Sequence, residues 1–234
     1  MTRCSPWLAD LTSPDVAARA DSGAMLAIPL GATEQHGAHL PLSTDTDLAV
    51  ELCRRLATSR DDVLIAPPMA FGSSGEHAGF AGTLSIGQAA IELVVTQLGR
   101  SASDTFPAVV FVSAHGGNAE PVFRALHTLH AESRSILLHR ASCAGDPHAG
   151  HEETSIQLAL DPSRVRMGNA VRGDLRPLAE TWPQLRSGGV RAVTATGVLG
   201  DPTHATDTDG ELLLNALSAR LADQVAAFRV LVGR

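Results

Sequence analysis

The stretch Ala24-Met-Leu-Ala-Ile-Pro-Leu30 runs directly into Gly31-Ala-Thr-Glu34-Gln-His36-Gly-Ala-His39, and Asp45 and Asp47 then open a segment of helical period. This stretch decides the architecture. An apolar run between Gly23 and Gly31 reads as a strand buried on both faces, and Asp47 to Ala57 repeats its apolar residues as a helix does. The same order recurs along the chain. Val63 to Ala66, Ala108 to Ser113 and Ile136 to His139 read as further buried strands, and Gln88 to Leu98, Pro121 to Ala131, Glu153 to Leu160 and Glu211 to Phe228 as helices. Strand then helix, repeated, predicts an α/β fold with a mostly parallel sheet covered by helices on both faces. Gly168 to His204, rich in Gly, Pro and Arg, reads as irregular with one further strand at Val190 to Val198.

Composition bounds the rest. The 234 residues, 44% hydrophobic and 18% charged, suit a single domain over 1–234, with no linker or repeat to divide it. All 18 cations are arginine, and tyrosine is absent as well as lysine. A P-loop lysine, a lysine Schiff base and a tyrosine general acid are therefore excluded. The lysine gap reads as compositional drift, while ten histidines and 25 carboxylates point toward metal or His-based acid–base chemistry. Cys4, Cys53 and Cys143 are an odd number at unrelated spacings, which suits reduced thiols in the cytoplasm. Met1 to Asp10 has no apolar signal region and no 18-residue apolar run occurs, so neither export nor membrane insertion is expected. A net charge of −7 with scattered arginines argues against a nucleic-acid partner.

Three clusters carry the chemistry, each at a predicted entry to a helix. Glu34 and His36, two apart in an extended loop, share one side, and Asp45 can return to meet them from the helix start. Such a set suits a transition-metal ion, although Asp45 or Asp47 alone would equally suit helix capping. His115 follows the strand Val109-Val-Phe-Val-Ser113 and is itself followed by Gly116 and Gly117; alone it would read as a structural histidine. The third cluster is Asp146-Pro-His148-Ala-Gly-His151-Glu152-Glu153, entering a helix. Loops at the carboxyl ends of parallel strands build ligand sites, so the three together outweigh any one. Other templates fail. Gly72-Ser-Ser-Gly75 is one residue short of a hydrolase elbow, no dinucleotide-binding glycine pattern follows a strand, and His151-Glu152 lacks the second histidine of a zincin. Cys143 near His148 offers a conceivable thiol nucleophile with nothing local to activate it.

Four segments in order resemble the creatininase family of metal-dependent amidohydrolases: Ile28-Pro-Leu-Gly31-Ala-Thr-Glu34-Gln-His36-Gly with Asp45, Gly75-Glu-His-Ala-Gly-Phe-Ala-Gly-Thr83, His115-Gly-Gly-Asn118, and His148-Ala-Gly-x-x-Glu153-Thr-Ser. The likeness spans Ala27 to Leu160. It implies a doubly wound α/β fold, a site for two divalent ions (zinc, iron or manganese) bridged by an aspartate, and a closed homo-oligomer. Carried over by position, Glu34, His36, Asp45 and His115 match family ligands. Creatininase itself has a glutamate two residues after the matching histidine, where this chain has Gly117, so Glu153 is expected to supply the missing carboxylate. His148 matches the family histidine close to substrate and is the expected proton carrier, with Glu153 beside it in the catalytic set. Ser74, Glu76 and His77, in the glycine-flanked Gly72 to Gly82 loop, are candidate substrate contacts or else part of a solvated loop.

Gly197-Val-Leu-Gly-Asp201-Pro-Thr resembles one branch of the family, which implies hydrolysis of a decarboxylated, cross-linked precursor peptide before its C-terminal Val-Tyr dipeptide, with release of a small pyrrolidinone. Arg172, Arg176 and Arg191 are then candidates for reading the substrate's C-terminal end, with no basis for choosing among them. The alternative within the family is a creatinine or formamido-pyrimidine substrate; creatinine is disfavoured because the tryptophan-bearing substrate loop has no counterpart between Ser142 and His151. A metal-dependent isomerase or lyase, or a silent binding protein on the same scaffold, is the reading of a different class.

Overall fold

The computed structural model describes residues 5–142 and 145–232, so Cys4 and Cys143, the conceivable nucleophile, lie outside the described residues. Four strands form one sheet: β1 (Met25–Leu30), β2 (Val63–Ile65), β3 (Val109–Ser113) and β4 (Ile136–Arg140). Their order is β2-β1-β3-β4 and every pairing is parallel, with Met25 opposite Val63, Leu30 opposite Ser113 and Ser113 opposite Arg140. Seven α-helices accompany them: α1 (Ser13–Asp21), α2 (Thr44–Ser59), α3 (Gly87–Ser103), α4 (Ala119–Ala131), α5 (His151–Leu160), α6 (Leu178–Gly188) and α7 (Asp207–Val232).

Side chains alternate across a strand, so each strand feeds two cores. Met25, Ala27, Val63, Ile65, Val110 and Val112 point to one face, where α2, α5 and α7 bring Leu52, Ile156, Leu214 and Leu221. Leu26, Ile28, Leu30, Leu64, Val109 and Phe111 point to the other, against Ile91 and Val95 of α3 and Val122 and Leu129 of α4. Burial on both faces is why the strands read as unbroken apolar runs rather than as alternation. Cys53 sits in the first of these cores, and burial pushes its thiol pKa up, which keeps it protonated.

The sheet order reverses at β1, which has β2 on one side and β3 on the other. At such a switch point the loops leaving adjacent strands part, and a crevice opens beyond their carboxyl ends.

The segment expected to be irregular carries two surprises. Helix α6 runs through it despite an internal Pro183, and the strand expected at Val190 to Val198 does not form. There the chain turns at Val190–Ala192, and the hydroxyls of Thr194 and Thr196 accept hydrogen bonds from the amides of Thr196 and Val198. Local hydroxyl acceptors of this kind compete with ladder formation. A single antiparallel bridge, His148 to Leu199, is what remains of strand pairing in this segment. Helix α1 has a clear local origin: Thr12 and Asp15 form a capping box, with Pro14 in the first turn.

Candidate metal centre

The centre is built at the switch point from three loops. Gly31 ends β1, and a Cβ there would lie 2.4 Å from the Thr46 Cα and 2.3 Å from its Oγ1. Only glycine permits that close approach, which draws the first turn of α2, and with it Asp45, beside the loop that carries Glu34 and His36. The Thr46 hydroxyl donates to the Ala32 carbonyl at 3.0 Å and holds the contact. His115 leaves β3 one strand away. From the third loop, Glu153 projects from the first turn of α5, and its Oε2 accepts from the Ala149 amide at 2.6 Å. Ala149 is left-handed at φ 54°, a strained setting for a side-chain-bearing residue that the surrounding bonds maintain. Asp146 is one of them: its Oδ2 accepts from the amides of His151 (2.8 Å) and Asp201 (2.9 Å), tying the loop to the Gly197–Asp201 segment.

These side chains converge. Asp45 reaches both sides of the centre, with Oδ1 3.2 Å from His36 Nε2 and Oδ2 3.3 Å from His115 Nδ1. Glu34 Oε2 is 3.3 Å from His115 Nδ1, and Glu153 Oε2 is 3.7 Å from His36 Nε2. The tautomers follow from the outer hydrogen bonds. His36 Nδ1 donates to the Glu34 carbonyl (3.2 Å) and His115 Nε2 to the Ser73 carbonyl (3.0 Å), so each ring turns its lone pair inward. Glu34, His36, Asp45 and His115 are all at most 6% exposed, and Glu34 Oε2, His36 Nε2 and Asp45 Oδ2 have no hydrogen-bond partner. Buried acceptors left facing one another are costly unless a proton or a cation lies between them. The donor set therefore fits divalent metal: Glu34, Asp45 and His115 form one cluster of potential ligands, and His36, His148 and Glu153 another.

Protonation equilibria carry the same message. Burial disfavours charge on His36, but the Asp45, Glu153 and Glu34 carboxylates outweigh it and raise its pKa to about 10. His115 is likewise raised well above its usual value, Glu34 and Asp45 overcoming its burial. Burial, with Asp45 and Glu34 nearby, raises Glu153 to about 7. His148 goes the other way. Burial and then the neighbouring imidazoles of His36 and His77 lower it well below the usual range. Its Nε2 donates to the Gln35 carbonyl at 2.8 Å, leaving a lone pair on Nδ1, 3.8 Å from Glu34 Oε1.

The Gly72–Gly82 loop is closer to the centre than a solvated loop would be. Ser74 is fully buried with its hydroxyl 3.4 Å from His115 Nε2, and His77 Nε2 lies 3.3 Å from Glu34 Oε1. Burial first, then the charges of His36 and His115, takes the His77 pKa down to about 4. Glu76 Oε1 is 3.7 Å from His115 Nε2 and fills the space beside Gly117: a Cβ at 117 would lie 2.4 Å from that oxygen and 2.1 Å from the Ser73 carbonyl. A glutamate could not be seated at 117 in this backbone.

Two participants lie inside the quoted motifs without having been read as site residues. The side-chain amide of Gln35 donates to the Gly197 carbonyl (3.0 Å) and to His77 Nδ1 (2.9 Å), which leaves the His77 Nε2–H for Glu34. That amide nitrogen is also 3.1 Å from His148 Nε2, but both carry hydrogens, so the Gln35 carbonyl decides that tautomer. Asn118 bridges the Gly31 carbonyl and the Ser73 amide, pinning the first loop to the Ser74 loop. The sequence signal for each was its place in a motif, Gln35 between Glu34 and His36 and Asn118 at the end of His115-Gly-Gly-Asn118. His130 and His139 lie elsewhere, bonded to the Ile136 carbonyl and to Gln224.

A family model described as Creatininase: Creatinine amidohydrolase matches residues 9–225. The chain is 45% identical over 207 residues to the mycofactocin precursor peptide peptidase of Mycolicibacterium smegmatis, covering 86% of this chain and 84% of that protein. Among solved structures, a zinc–zinc form of a creatininase mutant and a manganese form of creatininase each superpose with a TM-score of 0.84 at 24% identity, covering 99% of this chain and all of theirs. At that identity the superposition speaks for the fold, which is the doubly wound α/β arrangement described above. A family match over almost the whole chain, and close relatives that cleave a peptide, place this protein in the creatininase family of metal-dependent amidohydrolases, as a hydrolase of an amide bond.

Proposed function

We propose that the chain, as one creatininase-like domain, is a two-metal peptidase that releases the C-terminal Val-Tyr dipeptide from the modified mycofactocin precursor peptide. The observation that carries this reading is the convergence of Glu34, His36, Asp45 and His115 with orphaned buried acceptors, in a chain 45% identical to a peptidase of that name. Asp45 would bridge, with Glu34 and His115 holding one divalent ion and His36 and Glu153 the other. Zinc, manganese or iron suits these ligands. Such ions lower the pKa of water toward neutrality and polarise an amide carbonyl.

The chain's own residues do the remainder. Neutral His148, held by the Gln35 carbonyl at Nε2, accepts a proton at Nδ1 from the attacking water and returns it to the leaving amine nitrogen, which cannot depart as an anion. Glu153 stands beside His148 and His36 in the catalytic set, where its carboxylate would hold the second ion and orient the water for His148. Ser74, Glu76 and His77 brace His115 and Glu34 from behind and border the place where the peptide enters.

Metal-loaded protein incubated with the decarboxylated, cross-linked precursor should release its Val-Tyr-derived end as a small pyrrolidinone, detected by mass spectrometry. An intact peptide, together with turnover of creatinine or a formamido-pyrimidine, would move the assignment to another branch of the family. Among the described residues no helix is long and apolar enough to cross a membrane, in keeping with a cytoplasmic enzyme. Leu93 and Phe123, 60% and 70% exposed on the adjacent helices α3 and α4, favour a homo-oligomer, which light scattering would reveal.

A further inference from the structure

Helix α5 carries Glu153 in its first turn, and its buried residues are Thr154, Ser155, Ile156 and Gln157. Only Ile156 is apolar. Polar side chains buried this completely need partners, and each finds one in a different segment. Thr154 Oγ1 shares a hydrogen bond of 2.9 Å with His39 Nε2, Gln157 Nε2 donates to the Thr44 carbonyl at 3.2 Å, and Ser155 Oγ accepts from the Thr206 amide at 3.2 Å. Two of these segments belong to the centre. His39 follows His36 in the same loop and Thr44 directly precedes Asp45 at the start of α2, so the helix that brings Glu153 is tied to the segments that bring His36 and Asp45. Thr206 precedes α7, which brings none of the proposed ligands.

Both ties to the centre are costly to build. Gly37 is left-handed at φ 68°, and a Cβ there would lie 2.8 Å from His39 Nδ1, so glycine is what lets the ring stand so close to its own loop. Among the described residues, His39 Nδ1 and Gln157 Oε1 have no hydrogen-bond partner, although both side chains are almost wholly inaccessible. Aliphatic side chains would fill the same space with no unpaired polar atom. What they would lack is direction. Apolar contact lets a helix turn or slide against its neighbour, whereas a hydrogen bond fixes both distance and angle. Glu153 needs that definition, since its Oε2 stands 3.7 Å from His36 Nε2 and the two would share one ion with Asp45.

We propose that His39 and Gln157 are positioning residues: through Thr154 and Thr44 they hold Glu153 toward His36 and Asp45, and so set the affinity for the ion those three would share. The proposal rests on the two-metal reading, and its test reads ion binding rather than turnover. Metal-free protein titrated with Mn²⁺, the free ion being counted by electron paramagnetic resonance, should bind two ions per chain. Thr154→Val and Gln157→Leu delete the ties with little change of volume. Each should weaken the same ion that Glu153→Gln weakens, by about 10–100-fold, the range for partners that orient ligands, and leave the other unchanged. His39→Leu should match Thr154→Val, the double variant should lose no more than either alone, and Thr154→Ser should retain both ions. Ser155→Ala removes the third tie of the same helix and should lower the thermal midpoint without moving either affinity. In a Glu153→Gln background, Thr154→Val and Gln157→Leu should cause no further loss in either ion. Equal weakening of both ions, no weakening, or the same loss with and without Glu153 would each overturn the proposal, while two bound ions kept the two-metal reading. A single ion in the unaltered protein would end that reading instead; the ties would then stand if Thr154→Val weakened that ion only where Glu153 is present, and fall if it did not.

Discussion

Two regions of this molecule are equally dry and oppositely made. On the sheet faces, Leu52, Phe111, Leu129 and Leu221 are fully buried among aliphatic neighbours. At the carboxyl ends of β1 and β3, Glu34, His36, Asp45 and His115 are almost as inaccessible, yet each presents an acceptor or a titratable ring to the others. The first region lowers free energy by removing apolar surface from water. The second raises it, because buried acceptors face one another without partners, and a cation placed among them would relieve that cost. The difference teaches where function resides: in the buried region whose groups have no adequate partners within the chain.

The comparison can be broken most sharply at the site. Asp45→Asn should lower peptide hydrolysis by at least about 10²–10³-fold, the scale of losing one electrostatic stabiliser, with metal analysis showing fewer ions per chain and circular dichroism unchanged. The apolar region should respond in reverse. Leu52→Ala or Leu129→Ala should lower the unfolding free energy by about 2–5 kcal/mol in a denaturant titration, while the folded fraction retains its turnover and metal content.

A third expectation concerns protons. With His36 near 10 and His115 well above its usual value, metal-free protein at neutral pH holds protons where neutral ligands are needed. Loading must expel them, so apparent metal affinity should rise between pH 6 and 8 by up to about tenfold per pH unit for each proton released. Competition with a chelator at several pH values would measure the slope, and a flat profile would contradict the assignment of these rings as ligands. Smallest of the four, Gln35→Leu should reduce turnover or metal affinity by about 10–100-fold, the range for partners that orient ligands. The same substitution should also lower the stability of the metal-free protein by about 1–3 kcal/mol, because the Gly197 carbonyl, His77 Nδ1 and the Gly37 amide lose a buried partner.

Much of the fold was legible because each strand is buried on both faces. Met25 to Leu30 and Val109 to Ser113 are nearly continuous apolar runs, and the shorter runs at Val63 and Ile136 repeat the pattern. Helix α6 was not legible, since Pro183 and the surrounding glycines and arginines speak against a helix locally. The expected strand at Val190 to Val198 failed for a related reason: its threonines look suited to a sheet, but their hydroxyls serve their own backbone. Within the site, the proposed ligands Glu34, His36, Asp45 and His115 stood out by residue type and position after strands. The roles of Gln35, Asn118 and Asp146 did not: an amide or a carboxylate that bonds to backbone has no signature apart from its neighbours.

The sequence by itself determined the parallel sheet, the location of the chemistry beyond its strands, and the residue types from which a metal site would be made. Hydrophobic periodicity and loop composition are local properties, and they survive in one dimension. Which rings turn their lone pairs inward, and why glycine must occupy 31 and 117, were decided only by tertiary structure. Those facts depend on distances between segments as remote as Gln35 and Gly197, and only the packing of helices on the sheet sets such distances.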